Sequence, residues 1–102
     1  MPKAAPLGED QIAARLSQLT GWERDGMVIS KTYTLDSYMA GLAFAAAVGT
    51  LCEARDHHPD LYIGWKKVRV SFTTHDAGNT LTANDFDAAQ AIDALGYPKP
   101  KA

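Results

Sequence analysis

Three histidines are the residues of this sequence best suited to chemistry, and two of them are adjacent. His57 and His58 stand directly before Pro59, and His75 is the third. Imidazole can donate or accept a proton at neutral pH because its unperturbed pKa is about 6.5. A well-placed general acid or base accelerates a reaction by roughly 10²–10⁴-fold. A histidine cluster without a nucleophile therefore indicates proton-transfer chemistry, such as dehydration, tautomerisation or isomerisation.

Two other interpretations of these histidines stay open at this point. Three imidazoles together with a carboxylate of Asp56, Asp60 or Asp76 form a donor set that zinc accepts. Neighbouring residues of an extended chain point in opposite directions, however, which disfavours one shared ion for His57 and His58. The histidines could also be exposed loop residues without a chemical task. Spacing alone does not choose between an exposed loop and a proton-transfer site.

Composition and charge exclude several classes of protein. The 102 residues predict a single domain over residues 1–102, with loose tails at 1–6 and 97–102, because so short a chain supports one core. The formal net charge of −2 and the scattered basic residues give no support for nucleic-acid binding. A single cysteine, Cys52, excludes an internal disulfide, and its apolar surroundings argue against a nucleophile. Because the N-terminus has no signal-peptide pattern, we expect a cytoplasmic protein.

The longest uncharged stretch, residues 38–52, predicts a buried helix. Its 15 residues fall short of the ~20 that a bilayer-spanning helix needs, so we expect no membrane association. Its apolar residues go nearly all the way round a helix, whereas a surface helix needs only one apolar stripe. In a domain this small, a second copy of the chain is the expected cover, which predicts a homodimer or a homotetramer.

Periodicity predicts the order helix, hairpin, helix, hairpin, helix. These elements span residues 9–19, 21–35, 37–55, 61–75 and 82–95. Asp25-Gly26 is a strong turn signal in the first hairpin, and Asp36 is a candidate cap for the second helix. Lys31 interrupts the apolar face of its strand, which suggests that the middle of this strand lies near a sheet edge. Two hairpins separated by helices indicate an α+β fold, in which helices cover one face of an antiparallel sheet.

The second hairpin decides whether the histidines meet. We expect its turn at Lys66-Lys67, and if the second strand continues to His75, that side chain points away from the apolar face. The hairpin returns the chain to its starting end, so residues 57–59 and 74–76 are expected at the same end of the sheet. All three histidines are therefore predicted to converge.

Several neighbouring residues have both a structural and a functional interpretation. Asp85 follows Thr82 at the spacing of a capping box, which requires no catalytic role. Glu53 precedes His57 by one helical turn, where it could orient that imidazole or simply end the helix in solvent.

The aromatic residues of the second hairpin are also ambiguous. Tyr62 and Trp65 could stack on a flat ligand, but core packing is the expected role of at least one of them, with Trp65 the stronger candidate.

A set of residues spread along the chain forms a specific pattern. In order, it consists of Glu53, the run His57-His58-Pro59, the aromatic Trp65, His75 and Asp85. This pattern resembles that of the pterin-4a-carbinolamine dehydratases. Gly21-Trp22 and Leu81-Thr82 also match the family, at the start of its first hairpin and of its last helix. The resemblance therefore extends over nearly the whole chain.

The resemblance implies a fold, an activity and a set of site residues. The fold has a four-stranded antiparallel sheet and three helices. The activity is dehydration of 4a-hydroxytetrahydropterin to quinonoid dihydropterin, which recycles the pterin of aromatic amino-acid hydroxylases without a metal or other cofactor. The implied catalytic residues are His57, His58 and His75. The implied pterin-binding residues are Asp56, His57, His58, Pro59, Thr73, Thr74, His75 and Asp76, and the supporting residues are Glu53 and Asp85.

The chemistry of this reaction suits the three histidines. Loss of water from a carbinolamine requires an acid for the departing hydroxyl and a base for the ring nitrogen's proton. We assign His57 and His75 to proton transfer on either side of the pterin ring, and His58 to binding and orientation. Asp85 is expected either to support the site or to cap a helix.

The resemblance leaves two alternatives to this activity. Animal members of the family act as dimerisation cofactors of a homeodomain transcription factor, and some relatives are linked to enzyme assembly. The first alternative is therefore an interaction-only protein. The second alternative is an enzyme acting on a related pterin, as in molybdopterin metabolism.

Overall fold

The secondary-structure elements follow the predicted order, α-β-β-α-β-β-α. The computed structural model describes residues 4–99, so the outer parts of the predicted tails, residues 1–3 and 100–102, lie outside the described residues. The helices are α1 (Glu9–Ser17), α2 (Tyr38–Ala54) and α3 (Ala83–Asp93), and the strands are β1 (Glu23–Asp25), β2 (Val28–Thr34), β3 (Asp60–Gly64) and β4 (Lys67–Phe72). The four strands form one antiparallel sheet in the order β1-β2-β4-β3. The predicted α+β fold is confirmed.

One face of the sheet packs against the helices. Along β4 the burial alternates, with Val68, Val70 and Phe72 inside the core and Lys67 and Arg69 exposed on the other side. This alternation follows from the strand period of two residues. The core side chains of the sheet pack in one cluster with residues of all three helices. Among the helices of residues 4–99, none combines the length and hydrophobicity that crossing a bilayer requires.

Each of the two longer helices begins at a hydroxyl-bearing cap. The Ala40 backbone amide donates to Ser37 Oγ at 3.0 Å, so Ser37 caps α2 and the expectation for Asp36 is wrong by one position. Ser37 is the last residue with extended backbone, and its side chain therefore meets the first free amides of the helix. Thr82 caps α3, and Asp85 completes the predicted capping box.

Lys31 lies at the point where β2 loses one neighbour. β1 pairs with β2 only as far as the pair Glu23 and Ser30, so within the described chain residues 31–34 of β2 have a partner on the β4 side alone. The predicted proximity to an edge is therefore confirmed, although β2 is an interior strand by order. The Lys31 ammonium donates to Asp93 Oδ1 at 3.0 Å, which satisfies a charge that points toward the helices.

The second hairpin differs from its prediction at both ends. Its turn consists of Trp65 and Lys66, one residue earlier than expected, because Lys67 already pairs with Gly64. β4 ends at Phe72 and His75 begins a 3₁₀ turn, so strand alternation does not set the direction of the His75 side chain.

Trp65 and Tyr62 are not part of the core of this chain. Trp65 is 71% exposed, at the hairpin turn, and Tyr62 is exposed on the edge strand. The expected core packing of Trp65 is therefore wrong within this chain, since a hairpin tip on an edge strand has no helix above it. The turn also lies at the end of the hairpin opposite to His57, because Asp60 pairs with Ser71. Trp65 therefore cannot stack on a ligand bound beside His57 in the same chain.

Candidate active site

Three segments meet at one end of the sheet. The pairing of Asp60 with Ser71 brings the chain after α2 next to the end of β4, as the hairpin predicted. The third segment is the first turn of α3, which was not expected to organise the other two. Its Asp85 contacts His57 of the first segment and Thr74 of the second. The candidate site is therefore built around one carboxylate.

The C-terminus of α2 turns the chain toward this site. Asp56 has a left-handed backbone (φ of 53°), the Asp56 amide donates to the Glu53 carbonyl, and the His57 amide donates to the Cys52 carbonyl, each at 3.1 Å. These two bonds form a Schellman motif, which satisfies the last carbonyls of a helix. Aspartate is one of the few residues other than glycine that adopt this conformation readily. Asp56 therefore has a structural task, the sharp turn immediately before the histidine doublet.

His57 is held at two points. Its Nε2 lies 2.7 Å from Asp85 Oδ1, and its ring stacks on Phe72 with a centroid separation of 5.6 Å and an interplanar angle of 12°. Only 12% of the side chain is exposed. Phe72 is a core residue, and no feature of the sequence indicates the stacking.

Asp85 is fully buried (0% exposed), and its second oxygen is also occupied. The Thr82 backbone amide and the Thr74 hydroxyl donate to Oδ2 at 2.9 and 2.8 Å. The Thr74 hydroxyl lies 2.7 Å from that of Thr82, which in turn accepts from the Asn84 amide at 3.2 Å. Capping and support of a histidine were alternative roles for Asp85, and the carboxylate has both.

These hydrogen bonds assign the tautomer of His57. An ionised carboxylate only accepts, so Nε2 of His57 carries the proton that Asp85 Oδ1 accepts. In the neutral ring, Nδ1 then has a free lone pair. Within residues 4–99 no group bonds to Nδ1, and no buried side-chain nitrogen or oxygen there lacks a partner, so Nδ1 reaches solvent. His57 can accept a proton from a bound molecule at this atom.

Glu53 supports His58 rather than His57. Glu53 Oε1 lies 2.7 Å from His58 Nε2, and both side chains are exposed. Of the two roles left open for Glu53, the contact with His57 is not made, because helical spacing ends at Ala54 and the left-handed Asp56 redirects the residues that follow. An exposed pair of this kind contributes little to stability, about 0–1 kcal/mol. It does fix the proton of neutral His58 on Nε2 and leaves Nδ1 as the acceptor.

The His75 ring bonds within its own loop. Its Nδ1 lies 2.9 Å from Asn79 Oδ1, an oxygen that only accepts, so Nδ1 carries the proton and Nε2 is the free atom of the neutral ring. The adjacent Thr74 is tied to Asp85, which brings the His75 backbone to the site. That the His75 ring faces His57 stays a prediction. Asn79 was not predicted as a site residue, although its position four residues after His75 is compatible with a contact between the two side chains.

The other predicted pterin-binding residues surround these segments. Asp56 and Asp76 are exposed, Pro59 and Thr73 are half-buried, and the Thr74 side chain is buried against Thr82 and Asp85. Any contact of Thr74 with a ligand would therefore be made by its backbone.

The arrangement of side chains gives little support for a metal site or for Cys52 as a nucleophile. Within residues 4–99 no three His, Cys, Asp or Glu side chains are placed to hold a metal ion. Cys52 is fully buried, and burial raises the pKa of its thiol, which disfavours the reactive thiolate.

A large open groove lies elsewhere on the molecule. It has a volume of about 1120 Å³ and is lined by residues that include Gln18, Tyr33, Asp93 and Pro98, but by none of the predicted site residues. Its carboxylate, Asp93, already accepts hydrogen bonds from Trp22, Lys31 and Tyr33. We therefore locate the candidate site by the chemistry of the histidines rather than by cavity size.

Comparison with known proteins identifies the family. The sequence profile described as pterin 4 alpha carbinolamine dehydratase matches residues 5–95. A protein of Roseiflexus sp. (strain RS-1), provisionally named pterin-4-alpha-carbinolamine dehydratase, is 49% identical over 92 residues, which cover 90% of this chain and 98% of the relative.

Two solved structures share the fold. A transcriptional coactivator/pterin dehydratase from Brucella melitensis has a TM-score of 0.81 at 25% identity, covering 88% of this chain and 97% of that one. A pterin dehydratase-like protein identified as a RuBisCO assembly factor in the alpha-carboxysome has a TM-score of 0.60 at 22% identity, covering 74% and 87%. At that identity, the second likeness shows the fold alone. Profile, relative and fold agree: the chain belongs to the pterin 4 alpha carbinolamine dehydratase family.

Proposed function

We propose that this protein dehydrates 4a-hydroxytetrahydropterins to quinonoid dihydropterins by histidine acid–base catalysis. One observation carries the proposal: His57 is held by the buried Asp85 with its proton on Nε2, and its Nδ1 is open to solvent. Family membership supplies the substrate class, since the relatives are named for this dehydration. The physiological role would be to recycle, in the cytoplasm, the pterin used by aromatic amino-acid hydroxylases.

The dehydration needs two proton transfers, and two of the histidines have suitable free atoms. As C4a–O cleavage begins, neutral His57 takes the ring nitrogen's proton on Nδ1, and the resulting imidazolium is stabilised by Asp85. Protonated His75 donates from Nε2 to the departing hydroxyl, which leaves as water. One histidine gains a proton and the other loses one, so exchange with solvent restores both. His58, oriented by Glu53, offers Nδ1 as an acceptor for binding the pterin.

The decisive measurement follows the carbinolamine directly. A hydroxylase turning over with tetrahydropterin supplies 4a-hydroxytetrahydropterin, whose ultraviolet absorbance decays slowly in buffer. We expect the decay to accelerate in proportion to the concentration of this protein. Folded protein that leaves the buffer rate unchanged would overturn the proposal and favour an interaction-only role. Acceleration with another pterin carbinolamine alone would favour a related substrate.

We also propose that the protein is a homodimer or a homotetramer. Apolar residues of α2 point outward, among them Met39 (69% exposed) and Tyr38, and the edge strand β3 exposes Leu61 and Ile63. Large apolar side chains exposed in this number are typical of an interface.

Light scattering coupled to size exclusion tests the oligomeric state. At micromolar concentration we expect a molecular mass of about two or four times the chain mass of 11.0 kDa. Association would bury the exposed apolar side chains, which is favourable in water. Met39→Glu should lower the observed mass, whereas Ala13→Glu, on the exposed side of α1, should not. A mass of one chain for the unmodified protein would contradict the proposal.

A further inference from the structure

Helix α3 carries a second carboxylate that holds an aromatic ring. Asp93, its last residue, accepts a hydrogen bond from Trp22 Nε1 at 2.9 Å, much as Asp85 in the first turn accepts from His57 Nε2. Phe72 contacts both rings. Its centroid is 5.9 Å from that of Trp22 and 5.6 Å from that of His57, with interplanar angles of 30° and 12°. Trp22, Phe72 and His57 are therefore linked by two consecutive ring contacts and are called here the aromatic column.

The far end of the column is firmly anchored. Asp93 Oδ1 accepts from Tyr33 Oη at 2.6 Å and from Lys31 Nζ at 3.0 Å, which leaves Oδ2 for Trp22. Burial and the neighbouring carboxylate raise the pKa of the Tyr33 phenol, so it stays protonated and keeps donating at neutral pH. A carboxylate at a helix C-terminus is disfavoured by the helix dipole, and these three donors offset that cost.

A single hydrogen bond does not fix the plane of an imidazole. Nε2 lies close to the axis of the Cβ–Cγ bond, so rotation about that bond changes the plane of the ring with little change in the hydrogen bond to Asp85. The nearly parallel Phe72 ring, at a centroid distance of 5.6 Å, opposes that rotation. Proton transfer requires the donor and acceptor to be aligned, so the plane of the ring decides where Nδ1 points.

We propose that Trp22 and Asp93 are positioning residues for His57, which act through Phe72 to fix the plane of the imidazole. The inference rests on the proposed function insofar as His57 transfers a proton. The geometric part, the orientation of the His57 ring, can be measured without any catalytic assay.

The test uses Trp22→Leu, which removes both the stacked ring and the N–H donor. We expect the His57 ring signals in the ¹H–¹³C NMR spectrum to move, since the ring's tilt over Phe72 changes. We also expect kcat for the carbinolamine to fall about tenfold, with KM within about twofold, because misalignment affects transfer more than binding. Asp93→Ala should act in the same direction.

Conservative variants and a core variant serve as controls. Asp93→Asn keeps an acceptor for the indole, so it should retain most of kcat and the wild-type His57 signals. Trp22→Phe keeps a ring but loses the N–H donor, so it should fall between Trp22→Leu and the wild type. Ile12→Ala, in the same core but outside the column, should lower the melting temperature without moving the His57 signals.

Two results would overturn the inference. One is a Trp22→Leu protein whose His57 signals match the wild type. The other is a loss of kcat in Ile12→Ala equal to that in a Trp22→Leu protein of the same melting temperature. If the unmodified protein shows no dehydratase activity, the proposed function fails, but the NMR comparison still decides whether the column positions His57.

Discussion

Replacement of His57 by alanine or glutamine is expected to lower the rate constant for carbinolamine dehydration by about 10²–10⁴-fold, the usual contribution of a general acid or base. His57 is the imidazole whose position is most closely defined, by Asp85 on one side and Phe72 on the other. Glutamine can still donate an N–H to Asp85 but cannot carry a proton at neutral pH. The two variants should therefore lose similar activity, while His57→Gln stays closer to the wild type in stability.

The measurement combines the ultraviolet decay assay with thermal unfolding. Retention of at least a third of the wild-type rate by both folded variants would remove His57 from the mechanism. His58 and His75 provide the comparison within the site. His58→Ala should mainly raise KM, as expected of a residue that binds and orients the pterin, and His75→Ala should mainly lower kcat. An unchanged rate in either variant would contradict the corresponding assignment.

Replacement of Asp85 by alanine is expected to have the largest effect on stability. The carboxylate is fully buried and accepts from His57, Thr74 and the Thr82 amide, so its removal leaves three donors without an acceptor. Removing one partner of a buried charged network costs about 3–5 kcal/mol. That loss is a large fraction of the total stability of a small domain, ~5–15 kcal/mol.

Asp85→Asn separates stability from catalysis. The amide keeps the shape of the carboxylate, but its NH₂ group cannot accept the His57 proton and favours the opposite tautomer. We expect a folded protein whose dehydration rate falls by about 10²-fold or more, since the wrong tautomer removes the base. Urea unfolding and the decay assay on the same samples test both effects.

Asp87→Ala is the matched control on the same helix. Asp87 pairs with Arg15 at 2.6 Å and is partly exposed, so its loss should cost less than about 1 kcal/mol and leave the rate unchanged. Equal losses of stability in Asp85→Ala and Asp87→Ala would contradict the central role given to Asp85.

The sequence was sufficient to predict the fold because its patterns were local. The period-two strands, the Asp25-Gly26 turn and the capping box at Thr82 are each defined within a few residues, and each predicted element is present. Errors of one position, such as Asp36 for the Ser37 cap, arise where two adjacent residues have similar capping chemistry.

The internal geometry of the site could be predicted less well from the sequence. The pairing of Glu53 with His58 depends on a left-handed backbone at Asp56. The sequence has no glycine at this position to indicate such a conformation. The spacing predicted Asp85 as a cap and the resemblance implied a supporting role, but its contact with His57 joins residues 28 apart and could not be located from the sequence. The stacking of His57 on Phe72 likewise depends on how α2 packs over β4, and that packing is set by the whole core.

The free edge of β2 has a consequence for solubility. Within residues 4–99, the strand from Lys31 to Thr34 has no pairing partner on one side, and such an edge is the kind of template on which strands of other molecules add and aggregate. Natural sheets commonly guard such edges with lysine. Here the Lys31 stem extends toward Gly21, and its ammonium is fixed by Asp93 beside the edge. The same lysine that anchors the aromatic column thus also obstructs the approach of a foreign strand, which links protection from aggregation to the order of the site.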